Sequence, residues 1–249
     1  MNNQKNIIIG GITGGIGASL ARRLQANGHQ VAGFARDSER AAAFQKETGT
    51  QTEICDATDP DALEATFGSL AEDLGQIDAY VHAIGSIYIK PAHLTPTEDW
   101  TQTLTQNLTS AFFALRLAAK RMQKQGSGTC LFFSTAAAQT GIANHEAIAA
   151  AKGGIEAMVR SAAATYSNKG LRINAIAPSL TDTPLAKPIV GNEQALELSK
   201  RMHPLNAIAD PDDVAGLAAW LLSDEARFVT GQTFVMDGGL STIVPKPRA

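Results

Sequence analysis

Cysteine is scarce: Cys55 and Cys130 are the only two in 249 residues. Both lie in apolar runs, so they read as small core side chains in a reducing compartment, not as a bridge or a metal pair. A charge excess is also missing. Lys and Arg number 21 against 24 Asp and Glu, a net charge of −3, which leaves no electrostatic footprint for nucleic acid or an anionic membrane. No apolar run approaches the length of a membrane span, and the polar start of the chain holds no secretory apolar segment. A soluble, cytoplasmic protein is expected. No linker, repeat or low-complexity stretch breaks the chain, so residues 1–249 are expected to form one domain with a substantial core, at 44% hydrophobic residues.

Glycine is where the chain is rich in information. A short apolar strand from Asn6 runs into Gly10, Gly11, Gly14, Gly15 and Gly17, and an amphipathic run from Ala18 to Asn27 follows, closed by Gly28. Strand, glycine turn and helix start together make a phosphate cradle, because glycine lets backbone approach a pyrophosphate and the helix N–H groups point at its charge. The spacing Gly11, Gly15, Gly17 is a modest signal, since any tight strand-to-helix turn favours glycine.

Apolar strand-like runs recur at Ile7–Gly11, Gln30–Ala35, Gln51–Cys55, Ala79–Ile84, Cys130–Ser134, Arg172–Ala177 and Thr233–Met236, separated by helical patterns. This alternation predicts an α/β, doubly wound Rossmann fold: a seven-stranded parallel sheet with helices on both faces. Residues 178–206 depart from it, with Pro184, Pro188 and Pro204 and a short helical piece near Asn192–Met202. Following the sixth strand on the ligand-binding side of the sheet, the segment is a candidate lid, or else a long surface loop.

Taken together these pieces resemble the short-chain dehydrogenase/reductase family over essentially the whole chain. The Gly11/Gly15/Gly17 turn matches that family's cofactor loop, with Gly10 where a threonine is common. Cys55-Asp-Ala-Thr-Asp59 is similar to the segment that contacts adenine. Val81-His-Ala-Ile-Gly85 takes the place of an Asn-Asn-Ala-Gly motif and keeps only Gly85. Asn107 falls where a helix-interior asparagine holds a catalytic water. Asn174-Ala-Ile-Ala-Pro178 with Thr183, then Thr230-Gly-Gln and Asp237-Gly-Gly239, complete the matches. The resemblance implies cofactor contacts from Gly11, Thr13, Gly15, Ile16 and Gly17 in the turn, and from Asp56 and Ala57 near adenine. It adds Ala83 and Gly85 after the fourth strand, Lys152, and Pro178, Thr181 and Thr183 in the following loop. No metal site is implied.

The choice of nicotinamide cofactor rests on Ala35 and Arg36. NAD-specific members place a carboxylate at the end of the second strand; here that position is Ala35, followed by Arg36. A guanidinium offers a planar fork of donors to a 2′-phosphate, so NADP(H) is favoured over NAD(H). The alternative is an ordinary arginine at a strand end.

One departure concerns the chemistry. The family signature is Tyr-x-x-x-Lys with a serine thirteen residues before the tyrosine. Here Lys152 is kept, the tyrosine position is Ile148, and the serine position is Thr135, after Ser134. Carbonyl reduction needs a donor at the oxygen that becomes an alkoxide, and isoleucine has none. His145 lies seven residues before Lys152, the spacing at which enoyl-acyl-carrier-protein reductases, a divergent branch, carry their tyrosine. Imidazole titrates near neutrality, which makes His145 a candidate donor, or else a histidine that caps the helix start. Thr135 and Ser134 could bind a substrate oxygen or simply satisfy loop backbone. Tyr88 could reach the cleft as a substrate contact.

The leading expectation is therefore an NADP(H)-dependent oxidoreductase, with hydride passing to a carbonyl or an activated C=C bond of a small-molecule substrate. An enoyl-type reductase and a non-catalytic NADP(H)-binding sensor or scaffold are the alternatives. Ala111–Ala119 reads as apolar on nearly every helical face and Ala149–Ala164 is rich in small residues, so a homo-oligomer is expected, a tetramer or dimer.

Overall fold

The computed structural model describes residues 4–245. Its strands are β1 (Asn6–Gly10), β2 (Gln30–Ala35), β3 (Thr52–Ile54), β4 (Ala79–His82), β5 (Gly128–Phe133), β6 (Leu171–Pro178) and β7 (Thr233–Met236). They form one seven-stranded sheet in the order β3-β2-β1-β4-β5-β6-β7, and every pairing is parallel. All seven expected strands are present with slightly shifted ends. β1 stops at Gly10 because Gly11 turns to φ +78°, the left-handed region that favours glycine.

Helices join the strands as α1 (Gly15–Ala26), α2 (Ser38–Thr48), α3 (Pro60–Leu74), α4 (Thr97–Leu104), α5 (Ser110–Gln125), α6 (Glu146–Tyr166), α7 (Lys187–Val190), α8 (Glu193–Met202) and α9 (Pro211–Leu222). Asp37, Asp59 and Asp210 cap α2, α3 and α9 with side-chain oxygens, the last in a reciprocal capping box with Asp213. Side-chain alternation along the strands builds two layers. Ile7 and Ile9 of β1 pack with Leu20 and Leu24 of α1 and Val214 and Leu221 of α9. Ile8 faces the opposite way, with Phe34, Tyr80 and Phe132, onto α3, α5 and α6. This is the doubly wound arrangement expected from the sequence.

Two elements refine the sequence reading. α5 buries Ala111, Ala114, Leu115, Leu117, Ala118 and Ala119 within the chain. That leaves Phe112 as its exposed large apolar side chain, on the outside with Arg116 and Lys120, so neighbouring helices cover more of α5 than its composition suggested. The segment 178–206 holds α8 where a helical piece was expected, capped by the Asn192 side chain, and adds α7 and a one-turn helix at Pro184–Ala186. Neither α7 nor α8 fully buries any residue.

Candidate active site

The strand order reverses between β1 and β4, and the glycine turn lies at that switch point. Gly11 donates from its backbone N–H to the carbonyl of Phe34 at 2.9 Å, and Ala83 donates to the carbonyl of Gly10 at 2.9 Å. A Cβ on Gly11 would stand 2.6 Å from the Ala83 carbonyl oxygen, and one on Gly17 would stand within 2.4 Å of the Gly11 oxygen. Only glycine fits at either position. The N-cap of α1 is Gly14, with no side chain to satisfy the first-turn N–H groups and no acidic residue in that turn. A bare helix N-terminus beside close-packed backbone suits a pyrophosphate, so the residues present fit a dinucleotide. A Cβ on Gly15 would stand 2.6 Å from Thr183 Cγ2, which shows how closely the loop after β6 covers this turn. Gly10 has its own constraint: a Cβ there would fall 2.7 Å from the Phe34 ring and 2.9 Å from the Tyr80 hydroxyl. Its departure from the family threonine is a packing consequence.

Arg36 and Asp56 line an open polar groove of about 510 Å³ beside α4. Arg36 donates to Gln106 Oε1 at 3.4 Å. Asp56 accepts from the backbone N–H and the hydroxyl of Thr58 at 3.0 and 2.8 Å. Burial works to raise its pKa, but those bonds and the Arg36 charge outweigh it and hold the carboxyl below its ordinary value. Ala57 is buried in the core at 2% exposure and lines neither this groove nor the cavity at Lys152. The sequence reading passed over Arg40. Its guanidinium donates to the Thr13 carbonyl, tying the first turn of α2 to the glycine turn; the signal was its place three residues after the helix-capping Asp37.

Lys152 sits on α6 with its ammonium donating to the Phe133 carbonyl at 2.9 Å. Desolvation by burial lowers its pKa to about 8. Asn107 lies in a five-residue π-turn, Thr105–Thr109, between α4 and α5. Its amide nitrogen donates to Ser86 Oγ at 2.8 Å and to the Thr103 carbonyl at 2.9 Å, and its oxygen accepts from the Ser86 N–H at 3.0 Å. A Cβ on Gly85 would lie 2.9 Å from Asn107 Oδ1 and 3.1 Å from Lys152 Nζ. Gly85 therefore lets both side chains close on the end of β4.

The hydroxyls differ in role. Ser134 Oγ lies 2.7 Å from Glu156 Oε1 and 3.1 Å from the Lys152 carbonyl. Gln139 also donates to Glu156, at 3.1 Å, so a buried carboxylate braces the loop after β5. Thr135 Oγ accepts from the Ala137 N–H at 3.4 Å, a long bond. α6 begins at Glu146, so His145 is its N-cap and not a residue of its first turn. Its Nδ1 lies 2.8 Å from the Ala143 carbonyl, which requires a proton on Nδ1 and leaves Nε2 as an acceptor in the neutral ring. Tyr88 donates to Asp99 Oδ2 on α4 at 2.9 Å; that carboxylate holds the phenol, and Tyr88 does not line the cavity.

Lys152, Ser134, Thr135, His145 and Ile148 share the wall of one cavity of about 380 Å³ with Ile16, Ala83 and Gly85 on one side and Pro178, Thr181 and Thr183 on another. The segment 178–206 contributes Leu180, Leu185, Ile189 and Met202. Among the described residues, the ionisable groups on this wall are Lys152, His145 and His203. Ser179 and His203, which the sequence reading did not single out, also line it.

A parallel seven-stranded sheet, a glycine turn at its switch point and a buried lysine facing an apolar cavity define a nucleotide-dependent oxidoreductase scaffold. The chain belongs to the short-chain dehydrogenase/reductase family: residues 11–241 match a family model described as enoyl-(acyl carrier protein) reductase. It is 29% identical to 3beta-hydroxysteroid dehydrogenase 1 of Eggerthella lenta, over 95% of this chain and 94% of that one. It is 31% identical to the inactive 2-(S)-hydroxypropyl-CoM dehydrogenase 2 of Xanthobacter autotrophicus, over 90% of this chain and all of that one. A short-chain type dehydrogenase/reductase from Mycobacterium ulcerans superposes with a TM-score of 0.92 at 27% identity, covering 97% of this chain and 91% of that one. No helix among the described residues is long and apolar enough to cross a membrane.

Proposed function

We propose that the protein is an NADP(H)-dependent oxidoreductase that reduces a carbonyl or activated C=C bond in a neutral, largely apolar substrate. The observation that carries this reading is the buried ammonium of Lys152 on the wall of an apolar cavity that opens beside the glycine turn. The bound nicotinamide supplies the hydride. Gly11, Thr13, Gly15, Ile16 and Gly17 would hold the pyrophosphate side, and Asp56 and Ala57 the adenine. Arg36 supports NADP(H) over NAD(H), since β2 ends at Ala35 where NAD-specific members place a carboxylate for the ribose hydroxyls. Lys152 would hold ribose hydroxyls, with Ala83, Gly85, Pro178, Thr181 and Thr183 enclosing the nicotinamide end.

The substrate class follows from the wall. No carboxylate or guanidinium lines the cavity among the described residues, and Ile87, Ile142, Ile148, Leu180, Leu185 and Met202 do. A charged substrate would be desolvated there without a counter-charge other than Lys152. The steroid dehydrogenase relative fits that chemistry in name. The segment 178–206 would act as the lid of a single domain, since its helices bury little and can move at low cost.

A proton donor other than a phenol is required, because Ile148 occupies the family's tyrosine position. The donor set on the wall is Thr135, Ser134, His145, Ser179 and His203, with Asn107 positioning the end of β4. The second reading is a non-catalytic NADP(H)-binding protein. It draws on Ile148 and on the relative whose name marks it inactive. A cytoplasmic homo-oligomer, tetramer or dimer, goes with either reading, and the exposed Phe112 on α5 supports an interface there.

The test measures NADPH and NADH affinity by ligand fluorescence, then turnover with neutral ketones and enones. Tight NADPH binding with turnover supports the first reading, and tight binding without turnover the second. Absence of binding overturns both.

A further inference from the structure

Ser179 and His203 stand outside every motif considered so far, yet both line the cavity. Ser179 follows β6 directly, past Pro178. Its neighbour strand β5 ends at Phe133, which pairs with Ile176 and accepts the Lys152 ammonium; Ser134 donates from its N–H to the Ile176 carbonyl at 2.8 Å. Ser179 thus leaves the sheet at the same end as Ser134 and Thr135, the end at which the Phe133 carbonyl accepts the Lys152 ammonium of α6. His203 closes α8 as its C-cap and is 4% exposed.

The hydrogen bonds of His203 set its tautomer. Nδ1 lies 2.6 Å from the Ser199 carbonyl, and a carbonyl only accepts, so Nδ1 carries a proton. Nε2 lies 2.8 Å from Ser179 Oγ. In the neutral ring Nε2 accepts, and the Ser179 hydroxyl donates to it, leaving the oxygen's lone pairs free for another donor. A serine backed by an imidazole that a third group orients is the arrangement by which enzymes activate a hydroxyl. Asp237 adds a charge on the same side: its carboxylate accepts from the Gly239 and Ser241 N–H groups at 2.9 and 2.8 Å. Burial works against that carboxylate's ionisation, but those bonds and the attraction of His203 keep its pKa below the ordinary value.

We propose that Ser179 and His203 are the proton relay of this active site, Ser179 as the residue that meets the substrate oxygen and His203 as the positioned acid–base behind it. The proposal rests on the oxidoreductase reading above. In the oxidation direction the substrate O–H proton passes to Ser179 Oγ while the Ser179 proton passes to His203 Nε2. The carbinol C–H electron pair would leave as hydride to an oxidised nicotinamide, were one held beside Lys152, as C=O forms. Reduction would be the reverse: with hydride from a bound reduced nicotinamide, the oxygen takes the Ser179 proton and imidazolium His203 restores it. Every proton and electron pair is accounted for, and no phenol is needed. His145 lacks such an intermediary: its Nδ1 is held by the Ala143 carbonyl, and its Nε2 meets no hydroxyl among the described residues.

The test uses the intact protein with Ser179→Ala, Ser179→Thr, His203→Gln and His145→Ala. Imidazole nitrogen NMR of the parent without cofactor should show one buried histidine as the Nδ1–H tautomer, with Ser179→Ala shifting only that residue's Nε2 signal. With NADPH and cyclohexanone or acetophenone, Ser179→Ala and His203→Gln should lower kcat at least about 100-fold, the usual scale of lost acid–base assistance. KM and NADPH affinity should hold, and Ser179→Thr should restore most of kcat. Ser179→Ala within about threefold of the parent, given the 100-fold loss expected of a proton relay, overturns the relay while leaving the oxidoreductase reading intact. A loss confined to His145→Ala does the same. NADPH binding with no turnover of any ketone overturns the relay and favours the non-catalytic reading, and no NADPH binding overturns both proposals.

Discussion

The Lys152 ammonium donates to the Phe133 carbonyl at 2.9 Å in a buried position. Desolvation brings its pKa down from 10.5 to about 8. The folded protein therefore binds this proton less tightly than the unfolded chain. Between pH 8 and 10.5 the unfolded chain holds more protons, so stability rises with pH across that window and is lowest below it. At about 1.4 kcal/mol per pKa unit, the buried charge costs on the order of 3 kcal/mol near neutrality. Lys152→Met should raise the denaturant midpoint at neutral pH, less the lost hydrogen bond, and flatten the alkaline rise. It should also weaken NADPH binding. A midpoint lower than the parent's at neutral pH would count against the burial argument.

His82 gives the opposite limb. It bridges Tyr80 Oη at 2.9 Å and Ser110 Oγ at 3.1 Å, and Ser110 passes its own proton to the Gln106 carbonyl at 2.8 Å. His82 Nε2 therefore donates and Nδ1 accepts from the tyrosine. Burial, with the nearby Lys152 charge, lowers its pKa from 6.5 to about 3. The stability that depends on a neutral ring is complete above pH 6.5 and is lost as pH falls toward 3. His82→Gln should be less stable than the parent at neutral pH, where two hydrogen bonds worth about 1 kcal/mol each are disturbed. It should lose less on acidification, so the two stability curves converge toward low pH. Parallel curves would show that His82 does not carry the acid limb.

How much of this was legible in the sequence depends on the range of the interaction. The strands could be read because Ile7, Ile8 and Ile9 or Cys130 to Phe133 are continuous apolar runs, as a sheet buried on both faces requires. The glycine turn could be read because a local backbone demand leaves a local mark. Lys152, Thr135 and Ile148 were reachable by resemblance. Ser179 and His203 were not, because 24 residues separate them and only the folded segment brings them together. Tyr88 was misjudged for the same reason: its capture depends on Asp99, on a different element. Gly10 looked like a mere departure until Phe34 and Tyr80 supplied the cause.

That packing predicts the outcome of restoring the family residue. Gly10→Thr would drive a Cβ to 2.7 Å from the Phe34 ring and 2.9 Å from Tyr80 Oη. Overpacking of this kind costs typically 1–3 kcal/mol, about the scale expected here in chemical denaturation. Trimming the ring in Gly10→Thr/Phe34→Leu should recover part of the loss relative to the two single changes. Strict additivity of the two would show that the ring is not the obstacle.

Arg36 is the cofactor test. It faces an open polar groove with Asp56 and among the described residues makes one long side-chain bond, to Gln106, so its guanidinium can turn to a 2′-phosphate. The parent should bind NADPH more tightly than NADH. Arg36→Ala should remove most of that preference, roughly a ten- to hundredfold change for charge-assisted bonds worth about 1.5–3 kcal/mol each. Arg40→Ala should weaken both cofactors alike, since its bond goes to the Thr13 backbone of the shared turn. Equal affinities of the parent for the two cofactors would remove the NADP(H) assignment.

Ile148 lies four residues before Lys152 on α6, so the two side chains share a helix face. It is buried to 6% exposure on the cavity wall. Ile148→Tyr would put a phenol on that wall, one turn from an ammonium whose charge favours the phenolate and so brings the group toward the range useful for proton transfer. Ketone reduction with NADPH should rise in Ile148→Tyr, and it should persist in Ile148→Tyr/Ser179→Ala, because the phenol bypasses the serine. New activity from an inactive parent would mark a chain that kept its cofactor site and lost its donor. Activity abolished by Ile148→Tyr, with NADPH affinity unchanged, would show instead that the substrate itself fills the volume beside Ile148.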